Sequence, residues 1–221
     1  GPTSMAADAY RAGVQYWTSR GIAVLDVNYG GSSGFGRAYR QRLDGAWGVV
    51  DVQDCIHGAQ FLVQRGEVDG RRLIIRGGSA GGYTTLSALA FHDAFACGAS
   101  LYGIGDLQTL AEDTHKFESR YLDRLVGPWP EARQTYLDRS PIHHLDGLKC
   151  PLILLQGAED KVVPPEQSRR MHAALKARGV AVETHLFQHG GHGFGLRKAV
   201  GKPVEVWPEL FRRWAQVMGL G

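Results

Sequence analysis

The sequence predicts an α/β domain, with a mostly parallel sheet carrying helices on both faces. Three observations point there. Apolar runs of strand length alternate with longer segments of helical period, the order that builds parallel strands joined by crossover helices. The run Pro151–Gln156 (PLILLQ) is apolar without alternation, as in a strand covered on both faces. A third strand-like run, Leu73–Arg76, passes through a glycine-rich turn directly into a helical segment.

The elements follow in order. Ile22–Tyr29 (IAVLDVNY) reads as the first strand, and Val49–Gln64 as an amphipathic helix closed by Gly66. Leu73–Arg76 is the next strand, Gly82–Phe91 a helix, and Ala96–Leu101 a short strand. Gly105–Pro141 is polar and aromatic-rich and reads as an excursion over the sheet, a usual source of pocket walls. Then come the strand Pro151–Gln156, a helix over Pro165–Arg178, a last strand over Val180–Phe187 and a closing amphipathic helix over Val204–Met218. No repeat, low-complexity tract or linker divides the chain, so residues 1–221 are expected to form one domain.

Composition narrows the class of function. The chain has 221 residues, 43% hydrophobic and 21% charged, which excludes disorder. Its net charge of +3 comes from scattered arginines without a dense basic run, so no nucleic-acid partner is expected. Cys55, Cys97 and Cys150 are odd in number and sit in apolar segments, as buried thiols do in a reducing compartment. No apolar stretch reaches membrane-spanning length, and the first residues lack the regions of a signal peptide. The expectation is therefore a cytoplasmic chain with no membrane partner.

The chemistry concentrates at Gly77-Gly78-Ser79-Ala80-Gly81. With 30 glycines in the chain, a bare G-x-S-x-G is a weak signal. The strand before it and the helix after it turn it into the pattern of a nucleophile elbow, whose serine is forced into a strained conformation at a helix N-terminus. A serine hydroxyl needs a base and an orienting carboxylate; behind a nucleophile elbow of this kind they follow in the chain order serine, acid, histidine, each after a strand. Glu159 and Asp160 after Gln156 compete for the acid, and His189 and His192 after the last strand compete for the base. His185, His189 and His192 have metal-like spacing, but His185 belongs to an alternating strand and no cysteine or carboxylate cluster joins them. His143 and His144 read as polar loop residues. Gly30–Gly36 lacks the lysine and hydroxyl residue that end a phosphate-binding loop and misses the dinucleotide spacing, so it reads as a structured turn. No metal or cofactor is called for.

Four ordered segments together resemble the catalytic domain of the prolyl oligopeptidase family of serine peptidases. They are Asn28–Arg37 (NYGGSSGFGR), Arg76–Tyr83 (RGGSAGGY), Gly157–Asp160 with Val163-Pro164, and Gly191–Phe194 (GHGF). The likeness is greatest to the acylaminoacyl-peptidase and aminopeptidase branch and spans nearly the whole chain. It implies the α/β-hydrolase fold, with Ser79 as nucleophile, Asp160 as the acid and His192 as the base, leaving Glu159 and His189 as neighbours. Many family members carry arginine where Gly30 stands, so substrate contacts are not carried over there.

The resemblance also implies that Gly1-Pro2-Thr3-Ser4 is the tail of a His-Gly-Gly-Pro loop that follows the third strand of such sheets. The chain is then a C-terminal catalytic fragment lacking its first strands and an N-terminal β-propeller; the rival reading is that Gly1-Pro2 is left over from a purification tag. In the implied mechanism the oxyanion is met by the Ala80 N–H and, in the intact protein, by the Gly1 amide, so the isolated fragment is expected to be weakly active or inactive. The implied substrate is a short peptide losing an N-terminal or acylated N-terminal residue. Tyr83, Tyr102, Phe117 and Tyr121 are candidate pocket side chains, although aromatics at such spacings more often belong to the core. Two other readings use the same residues: a carboxylesterase, and a non-catalytic binding module. The expected partners are the missing N-terminal part of the protein and, through an uncovered sheet edge, a second copy.

Overall fold

The apolar run near residue 152 becomes a fully covered strand, every residue of Leu152–Gly157 being buried. In the computed structural model, which describes residues 1–113 and 116–220 and, in 116–120, the backbone alone, this strand is β3. The others are β1 (Ile74–Gly78), β2 (Cys97–Leu101) and β4 (Val182–Phe187), in the order β1-β2-β3-β4. All pairings are parallel, with Arg76 opposite Ala99, Ala99 opposite Ile153, and Ile153 opposite Glu183. This is the sheet of an α/β-hydrolase.

The helices are α1 (Ala12–Thr18), α2 (Arg37–Gln41), α3 (Val50–Gln64), α4 (Ala80–Phe91), α5 (Leu107–Asp113), α6 (Lys116–Leu125), α7 (Arg133–Asp138), α8 (Glu166–Ala177) and α9 (Trp207–Val217). Side-chain alternation along β3 sorts them into layers. Ile153 and Leu155 pack with Trp17 of α1 and with Trp207, Phe211 and Trp214 of α9. Leu152 and Leu154 face the other way, onto Val52 and Ile56 of α3, Leu86 and Leu89 of α4, and Met171 and Leu175 of α8. A third cluster, including Leu43, Trp47, Tyr83, Leu107, Leu122 and Tyr136, lies under the excursion between β2 and β3. That excursion folds as α5, α6 and α7. It is tied to α8 where Gln167 Oε1 accepts from the Gly105 and Asp106 amides at 3.0 and 2.9 Å, and where Arg170 meets Asp106 at 2.9 Å.

The expectation for Ile22–Tyr29 is corrected. The segment joins no ladder, and its residues 23–26 are exposed, although Leu25 and Val27 reach toward Gly58 of α3. The reason is a missing neighbour. A cavity of about 650 Å³ separates the segment from the outer edge of β1, lined by Ala23, Leu25 and Val27 on one side and Ile74, Arg76 and Gly77 on the other. A strand exists only where another backbone lies within hydrogen-bonding distance. Smaller corrections concern ends. The helix after the glycine-rich turn begins at Ala80 rather than Gly82, β4 begins two residues later than its apolar run, and α9 is preceded by a 3₁₀ turn at Pro203–Val206.

Asp51, in the first turn of α3, is a buried carboxyl that joins two layers. It accepts hydrogen bonds from the Gly48 amide at 2.6 Å and from the Thr84 hydroxyl of α4 at 2.5 Å. Burial outweighs these bonds and raises its pKa above the ordinary carboxylate value.

Two predictions follow from this packing. Leu154→Ala leaves a void between β3 and its helical cover and is expected to cost about 2–5 kcal/mol, read from the midpoint of urea unfolding. Because the folded chain holds the Asp51 proton to higher pH than the unfolded chain, that group's contribution is full below the unfolded value and declines as pH rises through the folded one. Asp51→Asn removes the decline, so its melting temperature relative to the parent should increase from about pH 4 to about pH 8.

Candidate active site

The strand-to-helix turn after β1 is too tight for ordinary side chains. A Cβ on Gly77 would sit 2.1 Å from the Gly81 carbonyl oxygen, so only glycine lets the first turn of α4 cross the end of the strand. Ser79 takes the strain, at φ 56° and ψ −119°. Its backbone is fixed on both sides: the amide donates to the Leu101 carbonyl at 2.9 Å, and the Tyr83 amide donates to the Ser79 carbonyl at 3.0 Å. The side chain consequently stands at the N-terminus of a twelve-residue helix, at the carboxyl end of the sheet. The Ala80 amide is among the helix's first donors and has no intrahelical acceptor.

The next two side chains come from the loops after β3 and β4. Asp160 is 4% exposed, and its Oδ1 accepts from the Val162 and Val163 amides, both at 2.9 Å. Its Oδ2 lies 2.9 Å from His192 Nδ1 and 3.3 Å from the Gln156 amide nitrogen that donates to it. With Nδ1–H directed at the carboxylate, Nε2 is left to accept, and it stands 2.9 Å from Ser79 Oγ. One line of hydrogen bonds thus joins residues 79, 160 and 192.

Glu159 and His189, the rival candidates, pair with each other at the surface instead, with 3.1 Å between Oε1 and Nδ1. The Glu159 carboxylate also accepts from the Gly190 amide, and these bonds hold its pKa below the ordinary glutamate value. His185 bonds Glu183 along β4, and His144 lies against the Phe91 ring.

The aromatic candidates divide. Tyr83 is a correction: its side chain is fully buried, packs at a tilt against Trp47 with centroids 4.4 Å apart and donates to the Arg139 carbonyl at 2.9 Å. It is a core residue because α4 is enclosed on every side. Tyr102 is also buried, beneath His192, so it does not line an open pocket. Tyr121 is partly exposed, with its hydroxyl against Gly1, and the Phe117 side chain lies outside the described residues. Gly1 lines the same cavity as Gly77 and Gly81. The amino end is held there by the Tyr29 hydroxyl, which donates to the Pro2 carbonyl at 2.6 Å, and by the Ser33 amide, which donates to the Thr3 carbonyl at 2.9 Å. Gly30 has no room for a side chain, since a Cβ would meet Val50 at 2.7 Å and the Arg42 side chain at 3.1 Å.

Comparison with known proteins places this geometry in a lineage. The model of the prolyl oligopeptidase family matches residues 8–215. Dipeptidyl aminopeptidase BIII of Pseudoxanthomonas mexicana is 35% identical over 200 residues, covering 88% of this chain and 29% of that protein. A solved puromycin-hydrolyzing peptidase of Mycobacterium tuberculosis is 51% identical with a TM-score of 0.85, covering 87% of this chain and 29% of its own. Pyrococcus horikoshii acylaminoacyl peptidase is 29% identical with a TM-score of 0.88, covering 98% of this chain and 35% of its own. The chain spans about a third of the length of such relatives. From the match over residues 8–215, together with the shared fold, this chain belongs to the prolyl oligopeptidase family.

Proposed function

We propose that these residues are the catalytic part of a serine peptidase that transfers the acyl group of a short peptide to Ser79. The observation that carries the reading is the unbroken hydrogen-bond line from Asp160 through His192 to Ser79, 2.9 Å at each link, ending on a serine held at a helix N-terminus. In this reaction Ser79 Oγ attacks the scissile carbonyl while His192 Nε2 takes the hydroxyl proton. The Asp160 carboxylate steadies the imidazolium. Collapse of the tetrahedral adduct passes that proton to the departing amine and leaves an ester on Ser79. A water molecule, deprotonated by the same imidazole, then cleaves the ester and restores the serine.

The charge on the tetrahedral oxygen is met by the Ala80 amide, where the α4 dipole adds to it. We assign the second donor to the amide of Gly1 when it stands within a longer polypeptide. Support for that longer polypeptide is the length of the relatives, of which this chain matches about a third. Residues preceding Gly1 in such a polypeptide would then complete the oxyanion site and limit access to it. The names of the relatives, a dipeptidyl aminopeptidase, acylamino-acid-releasing enzymes and puromycin hydrolases, support a substrate with a short amino-terminal or acylated aminoacyl group ahead of the cleaved bond.

The test is active-site labelling. A fluorophosphonate probe is expected to mark the parent at Ser79, and Ser79→Ala is expected to abolish the mark. His192→Ala should lower kcat/KM on an aminoacyl amide by roughly 10⁴-fold or more. Turnover of simple esters with no turnover of any peptide or aminoacyl amide by the full-length protein would replace the peptidase reading with an esterase. Absence of labelling in that protein would sink both. Residues 1–221 alone should run about 10²–10³-fold below the longer polypeptide, the usual effect of losing one oxyanion donor.

A further inference from the structure

Each residue in the relay follows the end of a parallel strand: Ser79 after β1, Asp160 after β3, His192 after β4. The strand between them, β2, ends at Leu101, and the residue it delivers is Tyr102. Its backbone is unusual. At φ 40° it occupies the left-handed region, which a tyrosine rarely adopts, and it is locked there by its amide donating to the Leu155 carbonyl of β3 at 2.8 Å.

The conformation turns the ring sideways along the sheet end, between the elbow and the histidine loop. On one side it rests on Gly78, where an added Cβ would come within 2.7–2.9 Å of Oη, Cε2 and Cζ. On the other it meets the His192 ring, with centroids 5.1 Å apart at 64°, and the Phe194 ring at 4.7 Å and 82°. Asp160 holds only the Nδ1 end of the imidazole. Rotation about that bond would swing Nε2 away from Ser79 unless something bears on the ring itself, and the Tyr102 ring occupies that place.

We propose that Tyr102 is a positioning residue, a rigid spacer seated on the residue before Ser79 that sets the tilt of His192 and so the distance from Nε2 to the serine hydroxyl. This rests on the reading of Ser79 and His192 given above. At 8% exposure, and packed on two sides by protein, the ring acts through His192 and not through substrate.

The experiment compares Tyr102→Phe and Tyr102→Leu in the full chain, following the rate of fluorophosphonate labelling and the low-field proton resonance of His192 Nδ1–H. Tyr102→Phe keeps the ring and should label within about threefold of the parent. Tyr102→Leu lets the imidazole tilt and should label about 10- to 100-fold more slowly, the scale set by a misplacement near 1 Å. Its low-field resonance should broaden through exchange with water, and on a peptide kcat should fall while KM stays. Tyr102→Met, which fills the volume without a flat ring, serves if the leucine variant does not fold and is expected to behave like it. Parental labelling together with an unchanged resonance in Tyr102→Leu or Tyr102→Met overturns the proposal, as does a rise in KM with kcat kept. If the parent itself is not labelled, the reading of the reaction fails, and the resonance alone then decides the spacer role.

Discussion

The fold turns on one steric fact: β1 and α4 cross so closely at Gly77 that a single methyl group on that residue would meet the Gly81 carbonyl oxygen at 2.1 Å. A strained serine at such a crossing costs about 1–3 kcal/mol and persists only where its surroundings over-determine it. Here they do. The Ser79 amide is fixed by β2 and its carbonyl by α4. Helix α4 is itself buried along nearly its whole length between the sheet and neighbouring helices, so the turn cannot relax without unpacking the centre of the molecule.

Parallel pairing does the rest of the positioning. Strands that all run one way end on one side, and the loops that follow them meet there, whatever their separation in sequence. Residues 79, 102, 160 and 192 are neighbours for this reason. The sheet supplies the geometry, while the loops supply the chemistry.

Much of this was legible in the residues. The unbroken apolar run of β3 announced a doubly covered strand, and a serine among glycines between a strand and a helix announced the turn. Spacing could not separate Asp160 from Glu159, because adjacent residues in a loop differ only in which way they point. The structure separates them by burial: Asp160 takes two backbone amides while Glu159 reaches solvent. The Ile22–Tyr29 segment misled because an apolar run reports strand propensity, not whether a second backbone lies alongside. Helices α1 and α2 gave little signal, being seven and five residues long without a side-chain cap. Tyr83 and Tyr102 looked alike in sequence, as aromatics near the nucleophile. One entered the core through α4, and the other was turned toward the histidine by a backbone angle that no pattern of side chains encodes.

The loops bearing Asp160 and His192 are also stitched to each other. The Ala158 amide donates to the Phe187 carbonyl at 2.8 Å and the Glu159 amide to the Gly190 carbonyl at 3.2 Å, while the Glu159 side chain returns a bond to the Gly190 amide. A Cβ on Gly157 would strike the Gly190 carbonyl oxygen at 1.9 Å, so the two backbones touch with nothing between them. The two loops are therefore fastened as one unit. A displacement that pulled the imidazole from the serine would carry its carboxylate along, leaving the histidine–aspartate couple itself joined.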